Sequence, residues 1–518
     1  MARDTLCSVN LVEYIFQAPA KLGLWPKSAI LFEDEEISYQ QLLHQTLRFV
    51  SALRSLNIAE GERVAIVARD CPEFVISFLG TIAAAAVAVP VSTMATAAEL
   101  QYVLEHCGAR AVVLTSDQIE KLRSVRQNLP ELEHLLLIDG EADGALKFDE
   151  ALAGSNESEV VDVADDALAF ILYTSGSTGR PKGAMHIHRN LPYTVETFCK
   201  NVLKVQPEDR LFSSSRLFFA YGLGNSLSFP LATGATAVLC KERPTPAVIT
   251  EVFRKFQPTV FFGVPAVFRA LIESVAQGNF LKTSSIKFCV SAGEKLPERI
   301  FHEWKELTGL NILDGIGSTE MLQMFITNSR DEIKPGSSGR VVPGYEARLI
   351  DPYGREIRGA GKGDLLIKGG SASPGYWKNP EKTAEIMTGE WMRTGDIYRL
   401  DEEGFYWFEG RSDDIFKTKG LWVSPIEVEE ALHSCPEVSE AAVVYGTDED
   451  GIGIVVAYVV LKDEIHETHG IAERLRERVS ALLPSYKIPS EIHFIKELPR
   501  TATGKIQRYK LRQGGKKG

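Results

Sequence analysis

The sequence predicts an α/β protein. A large N-terminal domain of helix-covered parallel sheets carries a small β subdomain, and a small α+β C-terminal domain follows. Three observations predict it. Helical and strand-like apolar patterns alternate up to about residue 115 and again from Leu191 to about Leu313, as in parallel sheets with helices on their faces. From Gly336 to Phe408 the pattern changes to short strands broken by Gly and Pro. Beyond Arg411 comes a helix, two strands and a second helix, in a stretch of about 100 residues, an ordinary domain size. The length of 518 residues allows about two to four domains. The expected division is 1–411, with the β subdomain at 336–408, and 412–518.

Ser38 is placed to cap a helix whose apolar positions are Leu42, Leu43, Phe49, Val50, Leu53 and Leu56. Arg63–Ala68 reads as a strand, Leu100–Cys107 as a helix and Ala111–Thr115 as a strand. The run from Phe74 to Val91 is almost wholly apolar and long enough to suggest a membrane span. Its alanine content, Ser77, Gly80, Thr81 and the late Pro90 instead favour a buried helix running into a buried strand. Gly140–Asp166 is acidic and weakly periodic and reads as a surface excursion. In the C-terminal stretch the expected elements are a helix at Ile426–His433, strands at Ala441–Tyr445 and Ile454–Leu461, and a helix at Ile471–Leu483.

Apolar content of 44% and charged content of 24% are ordinary for a globular chain. The net charge of −12 argues against a nucleic-acid or anionic-membrane binder. A basic segment closes the chain, with Arg500, Lys505, Arg508, Lys510, Arg512, Lys516 and Lys517. The 7 cysteines are scattered without a C-x-x-C pair, which fits a reduced cytoplasm and argues against a zinc site or a disulfide framework. Arg3, Asp4 and Glu13 interrupt the opening stretch, so no signal peptide is expected. Together these point to a cytoplasmic protein with no nucleic-acid or membrane partner, expected as a monomer or homodimer without the sequence deciding between them.

The run Tyr173-Thr174-Ser175-Gly176-Ser177-Thr178-Gly179-Arg180-Pro181-Lys182-Gly183 follows the apolar Leu168–Leu172. Glycines let backbone approach a ligand closely. The N–H groups and hydroxyls of Thr174, Ser175, Gly176, Ser177, Thr178 and Gly179 can then converge on phosphate oxygens, and Lys182 adds positive charge. The spacing is not that of a Walker A loop, because Lys182 follows a proline and precedes a glycine.

Further motifs follow in order: Leu217–Asn225 (LFFAYGLGN), Ser291-Ala292-Gly293-Glu294, Asp314-Gly315-Ile316-Gly317-Ser318-Thr319-Glu320, Thr394-Gly395-Asp396, Gly410–Asp414 (GRSDD) and Pro499–Lys505 (PRTATGK). With the loop, this ordered set resembles the acyl-adenylate-forming superfamily, over nearly the whole chain. The resemblance implies ATP, Mg2+ and coenzyme A as reactants and cofactors. Thr174 to Lys182 would cradle the β- and γ-phosphates, Thr319 would bond a phosphate, and Glu320 would hold Mg2+, a hard cation that prefers oxygen ligands. A second reading makes Thr319-Glu320 a helix N-terminal cap with an acid in the first turn, and the two are compatible. Gly293, Glu294, Asp314, Gly315 and Ile316 would lie along the adenine; many relatives have an aromatic residue in place of Ile316. Asp396 and Arg411 would take the ribose hydroxyls, a short acceptor and a fixed donor fork suited to a diol.

The resemblance also implies a two-step reaction with a mobile C-terminal domain. A carboxylate is a poor acceptor for a thiol, and transfer of AMP supplies a good leaving group. Lys505 would bridge the substrate carboxylate and the α-phosphate, offsetting the repulsion of two approaching anions. Asp413 matches the hinge between two poses. In the second pose Lys417 and Gly420 would line the passage for the pantetheine thiol. The run Phe218–Asn225 and the sequences Asp314–Met321 and Trp422–Pro425 resemble those of benzoate-CoA ligases. Run 218–225 has no acid to pair an ammonium, which disfavours α-amino acids. Phe219, Ala220, Tyr221, Gly222, Ala292, Ile316 and Gly317 would form a flat apolar wall for benzoate, 2-aminobenzoate (anthranilate) or a hydroxybenzoate. The competing readings are an aryl-adenylating enzyme that loads an acyl carrier protein, a luciferase-like oxygenase and a non-catalytic nucleotide-binding protein.

Overall fold

The computed structural model describes residues 10–174, 180–279, 281, 283–412, 414–418, 421–448, 453–462, 470–500 and 506–514. The chain divides into two compact units. The first takes residues up to 174, 180–346 and 367–392; the second takes 347–366 and the chain from 393 onward.

Among the described residues the first unit holds two large sheets. One runs in the order Leu146–Lys147, His134–Leu137, Ala109–Leu114, Arg63–Val67, Val87–Pro90, Leu168–Thr174 and Lys182–Ile187. Its neighbours are parallel except the last pair. The other runs Arg340–Val341, Met324–Thr327, Ile312–Gly317, Phe288–Ser291, Val260–Gly263, Arg210–Ser213, Thr236–Leu239, Ser28–Phe32 and Glu35–Ser38, parallel through its centre and antiparallel at both ends. This is the expected α/β class. Both sheets bury Val, Ile, Leu and Phe between helices, as strands covered on two faces must.

Local chemistry explains the elements. Ser38 accepts the Gln41 N–H at 3.2 Å while Gln41 returns its amide oxygen to the Ser38 N–H at 2.8 Å, a reciprocal cap on the helix Tyr39–Ser55. The span-like run is the helix Pro72–Ala83, almost wholly buried, followed by the buried strand Val87–Pro90. Among the described residues no helix is long and apolar enough to cross a membrane.

Two segments differ from expectation. Gly140–Asp166 is not only a surface excursion, because it holds the helix Phe148–Ala153. Phe148 is buried there against Phe49, with ring centroids 5.4 Å apart. A single aromatic anchor on so short a helix leaves no periodic trace. Near the start of the chain, Asn10 caps a helix at Leu11–Leu22 that the sequence reading did not assign; its side chain also donates to the carbonyls of Ile82 and Val161 at 3.0 Å each.

In the second unit residues 396–400 pair antiparallel with 406–411, and Leu349 and Ile350 pair with Ile357 and Glu356. Val438–Thr447 pairs antiparallel with Gly453–Leu461, which pairs parallel with Glu491–Phe494. The helices Pro425–His433 and Ile471–Leu482 cover that sheet through Val428, Leu432, Leu475 and Val479. Glu491–Phe494 went unassigned in the sequence because it alternates between exposed and half-buried positions and carries two charges or imidazoles in four residues.

Candidate active site

In the first unit the strands Leu168–Thr174 and Lys182–Ile187 form the two arms of a hairpin, with Thr174 opposite Lys182. Ser175, Gly176, Ser177, Thr178 and Gly179, the centre of the expected phosphate loop, lie outside the described residues. The second arm is laced to a distant segment: Trp377 N–H donates to the Gly183 carbonyl at 2.8 Å, and Met185 N–H to the Gly375 carbonyl at 3.0 Å. The same segment reaches the Asp314–Glu320 motif, because Ser373 N–H donates to the Glu320 carbonyl at 2.7 Å. The Tyr376 hydroxyl donates to Glu320 Oε1 at 2.6 Å, and Lys182 Nζ sits 5.5 Å from the centre of the Tyr376 ring.

Thr319 and Glu320 follow the strand Ile312–Gly317 in a tight turn that returns as the strand Met324–Thr327. No helix begins there, so the reading of Thr319-Glu320 as a helix cap does not hold. The turn is held by Met321 N–H donating to Ser318 Oγ at 3.1 Å and by His186 Nε2 at 2.9 Å from the Thr319 carbonyl. A carbonyl only accepts, so Nε2 carries the proton. His186 is fully buried and stacked on Phe170, and burial lowers its pKa to about 4, which keeps it neutral. Among the described residues no group of three His, Cys, Asp or Glu could hold a metal ion. A single carboxylate, Glu320, does suit Mg2+, which is commonly bound by one or two carboxylates plus substrate phosphates.

The strands Phe288–Ser291 and Ile312–Gly317 are parallel neighbours with Ser291 opposite Asp314, so that Ala292, Gly293 and Glu294 leave one strand end next to the other. Gly293 turns at φ +94°, a conformation open to glycine at little cost. Asp314 is buried. Burial pushes its carboxyl up to about 8, with Ser291 and the Leu296 N–H pulling the other way.

The Leu217–Asn225 run begins as an extended turn and enters the short helix Ala220–Leu223, which opens into a π-helical turn at Gly224–Ser228. Arg216 Nη1 donates to the Cys240 carbonyl at 2.6 Å, and Leu217 N–H donates to the buried Asp70 Oδ1 at 3.1 Å. A Cβ on Gly222 would lie 2.0 Å from the Arg216 carbonyl oxygen, so only glycine fits that return. Phe218 is buried and packs edge-on against Phe219, centroids 4.7 Å apart. The Tyr221 hydroxyl reaches the Val290 carbonyl at 3.2 Å, and its ring meets Phe262 edge-on. Burial raises the Tyr221 pKa well above the ordinary value, so the phenol stays protonated. Gln323 Nε2 donates to the carbonyls of Ala220 at 3.1 Å and Tyr221 at 3.2 Å. The Ala220-Tyr221 segment and the turn that carries Glu320 are therefore bonded to each other.

In the second unit Asp396 and Arg411 are opposite each other on neighbouring strands. Arg411 Nη1 is 2.8 Å from Asp396 Oδ1 and 3.2 Å from the Thr394 carbonyl. Lys417 lies on the short strand Phe416–Thr418, paired with Leu421–Val423. Asp413, Gly420 and Lys505 lie outside the described residues. Arg500 and Ile506, which flank the Lys505 segment, form an antiparallel bridge. Asp414, beside the expected hinge, is gripped by Arg508 at 3.4 Å and Arg512 at 2.6 Å.

Tyr376, Gln323, His186 and Asp70 were not singled out in the sequence. The signals were weak: an aromatic pair after a Pro-Gly turn in Ser373–Trp377, and one amide within the apolar run Met321–Ile326.

The AMP-binding enzyme family matches residues 21–377, and the AMP-binding enzyme C-terminal domain matches residues 427–505. The chain is 42% identical over 494 residues to the benzoate–CoA ligase of Thauera aromatica, covering 95% of this chain and 93% of that one. It is similar to the crystal structure of the anthranilate CoA ligase AuaEII in complex with anthranoyl-AMP, with TM-score 0.93, 35% identity and 99% and 98% of the two chains covered. It is also similar to a benzoate CoA ligase from Burkholderia xenovorans, with TM-score 0.89, 38% identity and 97% and 100% covered. With a family match over most of its length and relatives this similar from end to end, the chain belongs to the AMP-binding enzyme family.

Proposed function

We propose that the protein is an ATP-dependent aryl acid:CoA ligase acting on benzoate or a small substituted benzoate such as 2-aminobenzoate or a hydroxybenzoate. In the first step a carboxylate oxygen attacks the α-phosphorus of ATP. The new O–P bond forms as the bond to the bridging oxygen breaks, and pyrophosphate leaves. In the second step the thiol sulfur of coenzyme A attacks the acyl carbon and AMP leaves.

The observation that carries this reading is the link through Gln323. It ties the uncharged wall Phe219-Ala220-Tyr221 to the turn that bears Glu320. Acid recognition and triphosphate chemistry are thus built on one bonded framework. The wall has no carboxylate for an ammonium, so a buried α-amino group would go unpaired at high cost. The Tyr221 hydroxyl spends its proton on a backbone carbonyl and keeps its lone pairs, so it can accept from an amino or hydroxyl substituent. Similarity to a benzoate and an anthranilate CoA ligase supports the same acid class.

The remaining roles are proposed on the same basis. Thr174, the 175–179 loop, Lys182 and Thr319 bind the phosphates. Glu320 holds Mg2+, which when bound neutralises charge on the triphosphate. Gly293, Glu294, Asp314, Gly315 and Ile316 line the adenine; Asp396 and Arg411 take the ribose. Ala292, Gly222 and Gly317 belong to the wall for the ring. Lys505 stabilises the first step, and Lys417 and Gly420 serve coenzyme A. Asp413 is the hinge of a C-terminal domain at 412–518. Free coenzyme A, rather than a carrier protein, is the proposed acceptor.

An ATP–pyrophosphate exchange panel tests the substrate class. Benzoate, 2-aminobenzoate and the hydroxybenzoates should support exchange, and phenylalanine should not. With coenzyme A added, the aryl thioester should accumulate. Exchange with phenylalanine at the benzoate rate, or thioester formation only on a holo carrier protein, would contradict the proposal.

A further inference from the structure

We propose that Tyr376 is a positioning residue for the ATP–magnesium part of the site: it aims the Glu320 carboxylate and seats the Lys182 ammonium while keeping the two from pairing with each other. The inference rests on the reading of Glu320 as the magnesium carboxylate.

Tyr376 is buried, so it acts through its neighbours. Its hydroxyl donates to Glu320 Oε1 at 2.6 Å, the short distance of a hydrogen bond to a charged acceptor. Its ring faces Lys182 Nζ at 5.5 Å from the centroid, within the range of cation–π attraction. Its backbone is fixed on both sides. Tyr376 N–H donates to Thr383 Oγ1 at 2.9 Å, Tyr376 bridges to Ala184, and Trp377 N–H donates to the Gly183 carbonyl at 2.8 Å. Ser373 N–H at 2.7 Å from the Glu320 carbonyl adds a main-chain tie to the acid's own residue. One side chain is therefore braced against both the strand that carries Lys182 and the turn that carries Glu320.

The chemistry explains why a tyrosine suits this place. A lysine and a glutamate so close to one side chain would otherwise form an ion pair. Such a pair would cancel the positive charge meant for phosphate and the negative charge meant for a cation. Among the described residues no ion pair joins Lys182 to Glu320. Tyrosine satisfies the carboxylate with a neutral donor at Oε1 and the ammonium with a neutral π face. Both formal charges survive, and Glu320 Oε2 is left for a cation. Outer-shell partners that orient a ligating carboxylate typically change metal affinity by about 10- to 100-fold when removed.

Tyr376→Phe keeps the ring and removes the hydroxyl. Mn2+ binding to the full-length enzyme with a non-hydrolysable ATP analogue, followed by electron paramagnetic resonance, should weaken by about 10-fold or more. The melting temperature should stay at the wild-type value. Adenylation at limiting Mg2+ should fall and recover at saturating Mg2+. Conversion of supplied benzoyl-AMP and coenzyme A to thioester should be unchanged. Glu320→Gln serves as the reference, and adding Tyr376→Phe to it should cause no further loss of Mn2+ affinity. If Glu320→Gln weakens Mn2+ binding and Tyr376→Phe does not, the role of Tyr376 is refuted and the magnesium reading stands. If Glu320→Gln binds Mn2+ like the wild type, the underlying reading falls and the inference with it. A Tyr376→Phe defect that persists at saturating Mg2+ with a lowered melting temperature would mark a purely structural prop and also refute the inference.

Discussion

Asp314 carries a carboxyl that burial keeps protonated at neutral pH, with a pKa raised to about 8. The native state therefore holds a proton that the unfolded chain releases near the ordinary Asp value of about 4. Where the folded state binds more protons, stability falls as pH rises. The raised pKa of Asp314 thus favours the fold at low pH, and that contribution is lost between about pH 4 and pH 8, with a limiting slope on the order of 1 kcal/mol per pH unit. Asp314→Asn should flatten this part of the stability curve in denaturant titrations between pH 5 and 8. It should leave the KM for ATP at pH 7 little changed, since a neutral carboxyl and a carboxamide can both donate and accept. A variant whose pH slope equals that of the wild type would contradict the assignment. Single residues were legible where a motif carried them. Asp396 and Arg411 lie 15 positions apart in the chain, yet they prove to be paired side chains on facing strands. Tyr376 was not legible, because its partners Lys182 and Glu320 come from segments far away in sequence and only the fold brings them together.

At the scale of elements, the short helix Ala220–Leu223 and the π-helical turn after it carry the run proposed to wall the acid pocket. The Ala220 and Tyr221 carbonyls accept from the Gly224 N–H where the α-helix passes into the π turn. Gln323 adds a side-chain donor to the same two carbonyls. Gln323→Leu would remove that donor while the Gly224 N–H remains, at a cost of about 0.5–1.5 kcal/mol per bond. The expected outcome is a higher KM for benzoate in the exchange assay and altered ranking among ring-substituted acids, with thioester formation from supplied benzoyl-AMP retained. An unchanged KM and ranking would show that the amide does not shape the acid wall. The run Phe218–Asn225 stood out by its resemblance to benzoate-CoA ligases, whereas its π geometry was not readable. No residue type marks such a turn, and its stabilising amide lies about a hundred residues on. Helices with strong local signals, such as the Ser38-capped helix, were readable close to their true ends. The helix at Phe148–Ala153 and the strand at Glu491–Phe494 were not, being short and anchored by distant packing.

At the scale of the molecule, alternation of apolar periods was enough to read helix-covered parallel sheets, because strands buried on both faces and amphipathic helices leave strong traces. Which strands lie side by side was not readable. The large sheet places Ser28–Phe32 beside Thr236–Leu239, two segments about two hundred positions apart. The chemistry proposed for the whole chain also divides along its length, with the triphosphate and acid residues before position 330 and Lys505 near the end. The most direct test is a rapid-quench comparison of wild type and Lys505→Ala, each assayed for the two half-reactions apart. Wild type given ATP, magnesium and benzoate without coenzyme A should release about one pyrophosphate per active site in a burst. Lys505→Ala should lose that burst by several orders of magnitude, and yet convert supplied benzoyl-AMP and coenzyme A to benzoyl-CoA at close to the wild-type rate. Absence of any pyrophosphate from the wild type, or equal loss of both half-reactions in the variant, would contradict activation through an aryl-adenylate assisted by this lysine.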